Sequence, residues 1–271
     1  MTELSVNSIV PLRAAGGLPP LYCVHPVSGS PYCYAGLTHQ LDPERPVFGF
    51  EAPGFDGVCE PARSIQELAE LHTAALRAAR PHGPYLLLGW SLGGVVAYEM
   101  ARLLAAAGEE VPVLVMVDAA LPGTQQVPPE DQLARYFLYD FLGVTRDRAP
   151  GVDTALAHMR PGAEPAEIFA VVERDGVVPE EFDAEFLLER YALFRTHVVA
   201  LRQHSVASVH DGPAILIKAA ESQERLLDWR PRLSRLTEHT VPGDHHSVWQ
   251  EPGLTAISAI VDQALREATP A

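Results

Sequence analysis

Tyr85-Leu86-Leu87-Leu88-Gly89-Trp90-Ser91-Leu92-Gly93-Gly94 is the stretch on which the reading of this chain turns. A short apolar run ends in G-x-S-x-G, and a Pro-free segment containing Val95, Val96, Ala97, Met100, Ala101, Leu103 and Leu104 follows at once. The pattern predicts strand, sharp turn and helix, the context of a nucleophile elbow. Glycines at 89 and 93 suit a turn too tight for flanking side chains. Ser91 is thereby lifted off the end of the sheet to a helix N-terminus, where free N–H groups and the helix dipole favour developing negative charge.

Outward from the elbow, the same alternation continues. Leu21-Tyr22-Cys23-Val24 and Pro46-Val47-Phe48-Gly49-Phe50 read as buried strands, with a helix expected over Tyr32–Leu41 between them. Ser64 and Glu67 form a capping box for a helix whose stripe Ile65, Leu68, Ala69, Leu71, Ala75 and Leu76 ends at Pro81. Val113-Leu114-Val115-Met116-Val117 is a further apolar strand, ending at Asp118. Strands alternating with helices predict an α/β fold, a mostly parallel sheet covered on both faces.

From 121 to 208 the alternation stops. Helices are expected instead over Asp131–Leu142, Pro165–Arg174 and Glu181–His204; in the last, Leu187, Tyr191, Phe194, Val198 and Leu201 share one face. This segment reads as a helical lid inserted into a single domain spanning 1–271. The sheet resumes at Pro213–Lys218, followed by a short helix near Trp229–Leu236, a weak strand near Thr237–Val241 and a last helix from about Gly253 to Glu267. Residues 1–19 are weakly patterned.

Composition narrows the function. With 20 basic against 35 acidic residues the formal charge is −15, which disfavours nucleic acid and anionic membrane as partners. No apolar run approaches the roughly 20 residues of a bilayer span, and the N-terminus, with Glu3, has no signal-peptide core. Three cysteines, Cys23, Cys33 and Cys59, without a C-x-x-C, fit a reducing cytoplasm.

A serine hydroxyl needs a base, and the base an orienting acid. Of 11 histidines, His245 and His246 follow the last strand in a loop opened by Gly243; His245 is the expected base and His246 its neighbour. Asp118, at the end of its strand, is a candidate acid; Glu221 and Asp228, after the Ile215–Lys218 strand, are others. An oxyanion hole needs two amide donors. Leu92, directly after Ser91, supplies one; Val27 in the turn His25-Pro26-Val27-Ser28-Gly29 is the candidate for the second, since Pro26 has no N–H. There is no H-E-x-x-H or paired metal-ligand spacing, and no metal site is expected at Asp244-His245-His246.

V-H-P-V-S-G-S at 24–30, G-W-S-L-G-G at 89–94, V-D-A at 117–119 and G-D-H-H-S-V-W-Q-E-P at 243–252 together resemble the thioesterase domains of nonribosomal peptide and polyketide synthases. The resemblance spans nearly the whole chain. It implies an α/β-hydrolase fold with a helical lid, the acid at Asp118, the base at His245 and an oxyanion amide at Val27. It also implies an acyl or peptidyl substrate carried as a thioester on the phosphopantetheine arm of a carrier protein, with no cofactor of the enzyme's own. Ser91 would take the acyl group, and water or an internal nucleophile would release it by hydrolysis or macrocyclisation. No D-S-x arm-attachment motif precedes the start, so either a free-standing enzyme or an excised terminal domain is expected; the G-W-S-L-G-G elbow is nearer the product-releasing branch than the editing one. A carboxylesterase or lipase is the first rival and a non-catalytic binding module with this fold the second. Arg135, Arg146, Arg148 and Arg160 are candidate contacts for an acidic carrier.

Overall fold

The apolar runs become strands β2 (Leu21–Val24), β3 (Val47–Phe50), β4 (Leu86–Trp90) and β5 (Val113–Val117), joined by β1 (Ile9–Arg13), β6 (His210–Ala219) and β7 (Leu233–Val241). These form one sheet of order β1-β3-β2-β4-β5-β6-β7. Only β1 runs antiparallel, against β3; the other pairings are parallel. The computed structural model describes residues 8–123, 125–145 and 149–269. The α/β class and the mostly parallel sheet therefore agree with the sequence reading.

Every residue of β2, β4 and β5 is buried, because both faces of the sheet are covered and no position can be left polar. Alternate side chains serve opposite cores. Tyr22, Val24 and Leu87 pack with helices α2 (Ile65–Ala79) and α3 (Leu92–Ala106). Leu21, Cys23, Leu86 and Leu88 pack with α1 (Ala35–Gln40) and α8 (Gly253–Ala268) on the other side. The Ser64 hydroxyl caps α2 by accepting from the Glu67 amide at 3.1 Å, and Glu67 reaches back to the Arg63 amide at 2.7 Å.

Between β5 and β6 lie α4 (Glu130–Phe141), α5 (Pro150–Ala155), α6 (Pro165–Arg174) and α7 (Ala184–Gln203). They have a core of their own, in which the Phe137 ring meets those of Phe169, Tyr191 and Phe194 at 5.4–5.8 Å. The two ends of this segment meet. The Gln125 amide donates to the Arg202 carbonyl at 2.9 Å and the Arg202 side chain bonds that of Gln125. Beside them, His204 contacts buried Glu99 of α3 at 3.1 Å, and Glu99 also pairs with Arg102.

Three expectations are corrected. Residues 9–13 form the edge strand β1, which holds Pro11, tolerated only where no further strand must receive an N–H. The stretch 233–236 is strand, not helix: β7 is a polar edge strand whose interior is mostly exposed, so its sequence lacks an apolar stripe. The short helical turn in that region is Glu224–Leu226, and Trp229, fully buried, is fixed by its indole N–H donating to the Ala119 carbonyl at 2.7 Å. The helix expected over Tyr32–Leu41 is a 3-10 turn, Pro31–Tyr34, running into α1.

Candidate active site

Register brings the site together. Val24 pairs with Gly89, Gly89 with Met116 and Val117 with Ile217, so β2, β4 and β5 end near one level and β6 runs two residues past it. The residues that follow, His25, Ser91 and Asp118, emerge at the same edge, and His245 comes in from the loop after β7.

Ser91 joins β4 to α3 at φ 56° and ψ −125°, a strained conformation for a residue with a side chain. Packing leaves it no alternative. A Cβ at position 89 would overlap the Gly93 carbonyl, and one at 93 would overlap the carbonyls of Val24 and His25. The Ser91 amide donates to the Val117 carbonyl at 3.0 Å, tying the turn to the neighbouring strand. Asp118 has the second positive φ among the described non-glycine residues, 43°, and its amide donates to the Ile217 carbonyl at 2.7 Å.

Ser91 Oγ lies 3.0 Å from His245 Nε2, and His245 Nδ1 lies 2.6 Å from Asp118 Oδ2. The carboxylate accepts, so Nδ1 carries the proton and Nε2 is left to accept from the serine hydroxyl. Asp118 also accepts from the Ala219 amide at 2.9 Å and the Ser222 hydroxyl at 2.7 Å. Burial acts to raise its pKa, but the hydrogen bonds from His245, Ala219 and Ser222 outweigh it and hold the carboxyl below its ordinary value. A hydroxyl, imidazole and carboxylate in this sequence of contacts have the geometry of nucleophilic acyl transfer.

The other candidates stand elsewhere. Asp228 pairs with Arg230 at 2.7 Å on the surface, and Glu221 lies on the rim of the cavity beside Ser91. The His246 ring packs edge-on against Trp90 at 5.9 Å, and burial lowers its pKa to about 4. Leu92 is the first residue of α3, and neither its amide nor that of Val27 donates to a protein acceptor among the described residues. Arg160 is paired with Glu167 at 3.1 Å, and Arg135 bonds the Leu156 carbonyl at 3.1 Å; Arg146 and Arg148 lie outside the described residues.

Sequence reasoning missed a buried histidine cluster behind Val27. His25 Nδ1 donates to the Pro26 carbonyl at 2.7 Å, and His197 Nδ1, from α7, donates to the Val27 carbonyl at 2.8 Å. The two rings stack at 5.2 Å, and His72 meets His25 edge-on at 5.3 Å. Burial pushes all three pKa values down, to about 3 for His72 and about 4 for His197. The only available signal was a histidine beside the apolar stripe of α7.

Two cavities flank the site. One, of about 390 Å³, is lined by Ser91, Asp118 and His245 and walled by Val95, Leu201 and Leu226. The other, of about 560 Å³, is aromatic and lies between the sheet edge and the inserted helices, with Trp90 and His246 on its wall. Among the described residues, no group of three or more His, Cys, Asp or Glu is arranged to hold a metal ion. No described helix is long and apolar enough to cross a membrane.

Residues 19–265 match the family model described as a thioesterase domain. A probable non-canonical nonribosomal peptide synthetase, CymA, of Salinispora arenicola is 31% identical over 98% of this chain, which spans 3% of that protein. The dimodular nonribosomal peptide synthase of Bacillus subtilis is 42% identical over 44% of the chain, spanning 5% of that protein. Among solved structures, the NocB thioesterase domain of the nocardicin cluster superposes with a TM-score of 0.65 at 25% identity, over 95% of this chain and 98% of that one. A four-domain nonribosomal peptide synthetase bound to AMP and glycine reaches 0.79 at 26% identity, over 97% of this chain and 20% of that one.

Proposed function

Because this chain belongs to the thioesterase-domain family, we propose that it releases an acyl or peptidyl chain from the phosphopantetheine arm of a carrier protein through an acyl-Ser91 intermediate, in nonribosomal peptide or polyketide synthesis. The observation that carries this reading is the hydrogen-bond chain of 3.0 Å and 2.6 Å through Ser91, His245 and Asp118.

In the proposed mechanism, Ser91 Oγ attacks the thioester carbonyl carbon as its proton passes to His245 Nε2. The carbonyl oxygen becomes an oxyanion, met by the amides of Leu92 and Val27. Collapse breaks the carbon–sulfur bond, and the departing thiolate takes the proton from His245. Water, or an amine or hydroxyl within the acyl chain, then attacks the ester with His245 again as base, giving free acid or a ring. Asp118 holds the imidazole in its productive tautomer throughout.

Residues 121–208 serve in this reading as a lid on a single domain, supported by their separate core and by the cavity beneath them. The enzyme needs no cofactor of its own. A cytoplasmic location is supported by the three cysteines, all of them free.

Intact-mass analysis with acyl thioesters of a pantetheine mimic tests the proposal. The wild-type protein should gain the acyl mass and release product, while Ser91→Ala gains nothing and melts within a degree or two of wild type. An adduct on Ser91→Ala would place the nucleophile elsewhere; cleavage of simple esters with thioesters untouched would make the protein an esterase.

A further inference from the structure

The aromatic cavity contains a carboxyl that the mechanism leaves unused. Trp90 and Trp249 line it from the core, and Phe137, Phe141 and Phe194 line it from the inserted helices. Among these rings stands Asp140, near the end of α4. Its carboxyl makes no hydrogen bond and no ion pair with any described residue. It is half-buried and lines the cavity. Burial raises its pKa to about 6, with the nearby His245 acting in the opposite direction.

Arg190 shares the cavity but does not answer this charge. Its Nη1 donates to the Phe55 carbonyl at 2.8 Å, its Nη2 lies 3.4 Å from Glu189, and its guanidinium lies over the Phe55 ring at 4.9 Å. Of the other titratable groups on the wall, His246 is held neutral by burial, and burial pushes the Cys33 thiol well up, so neither supplies a positive charge. An unpaired carboxylate in apolar surroundings is costly. A ligand cation removes that cost, and ring faces attract the same cation. A neutral acyl chain would fill the volume and leave the carboxylate unanswered.

The cavity is placed to receive the acyl group rather than a remote ligand. Trp90 precedes Ser91, His246 follows His245, and Pro26 precedes Val27; all three line it. We propose that this cavity binds the ammonium group of the acyl chain, that the preferred substrates are aminoacyl or peptidyl thioesters with a free amine, and that Asp140 is the residue that selects them. This inference rests on the thioesterase reading above.

The test uses matched thioesters of N-acetylcysteamine that differ only in the amine: phenylalanyl against 3-phenylpropionyl, and 6-aminohexanoyl against hexanoyl. Wild-type protein should favour the amine-bearing member of at least one pair by about 10- to 100-fold in kcat/KM, the range of a charge-assisted hydrogen bond. Asp140→Asn should lose that preference while keeping its rate on the amine-free member, and Asp140→Glu should restore part of it. Labelling of Ser91 by a fluorophosphonate at the wild-type rate will show that each variant is folded. No preference in either pair, or a preference that survives in Asp140→Asn, overturns the inference and leaves the thioesterase reading intact. Failure to cleave any of the four thioesters, with Ser91 unlabelled, overturns both.

Discussion

Replacing His197 should separate stability from catalysis in a way that tests the oxyanion assignment. The Val27 N–H shares a peptide plane with the Pro26 carbonyl, and in a trans peptide the two point in opposite directions. That carbonyl is held by His25 Nδ1 at 2.7 Å and by the Gly29 amide at 3.0 Å. The next plane is held by His197 Nδ1 on the Val27 carbonyl at 2.8 Å. The His197 ring is 1% exposed, so no water replaces the lost donor in His197→Leu. Leaving a buried carbonyl unsatisfied costs about 1–3 kcal/mol of stability. Losing an oxyanion donor outright costs about 10²–10³ in kcat; because the Pro26 side remains pinned, His197→Leu should lose about 10- to 100-fold in kcat with KM nearly unchanged. Asparagine can place its amide nitrogen near the position of Nδ1, so His197→Asn should recover most of the rate. The assay is steady-state release of a chromogenic thiol from an acyl thioester, beside thermal melting. If His197→Leu melts early yet turns over at the wild-type kcat, the histidine is only structural and Val27 is not an oxyanion donor.

Other outcomes follow from the same contacts. Asp118→Asn should lower kcat by about 10³- to 10⁴-fold, since an amide can stabilise the wrong imidazole tautomer; near-normal turnover would remove Asp118 from the mechanism. Acid should unfold the protein early. His72 and His197 refuse protons in the fold, with pKa values of about 3 and about 4, that the unfolded chain accepts below about pH 6.5. Their contribution is therefore complete above that pH and lost as pH falls, each costing on the order of 2–3 kcal/mol by about pH 4.5. The denaturation midpoint should fall clearly between pH 7 and pH 5, and His72→Leu should flatten the fall; a midpoint level over that range would contradict the burial argument.

What was legible in the chain depended on burial. Strands covered on both faces, such as Leu86–Trp90 and Val113–Val117, show as apolar runs, and the elbow shows because steric contact at 89 and 93 admits only glycine. Edge strands Ile9–Arg13 and Leu233–Val241 face water on much of their surface, so their composition resembles loop or helix. The residues alone left three carboxylates open as partners for His245; the β5–β6 register, which sets Asp118 beside Ala219 and Ser222, separates them. His197 was not legible as a partner of the Val27 turn, because the contact joins residues 170 positions apart. Asp140 was equally silent, an ordinary polar residue on a helix until the rings around it are in place.

The neck of the inserted segment has a consequence for anyone who would exchange it. Its two ends meet at the pairing of Gln125 with Arg202, next to the buried Glu99, Arg102 and His204. A foreign segment spliced between 121 and 208 without His204 would strand the Glu99 carboxylate, with Arg102 its one remaining partner, on the helix that begins at Leu92. The damage from such a graft would run back toward the nucleophile from the junction. Chimeras cut inside this neck, keeping Gln125, Arg202 and His204 with the recipient, are the ones that should carry a new chamber on an undisturbed elbow.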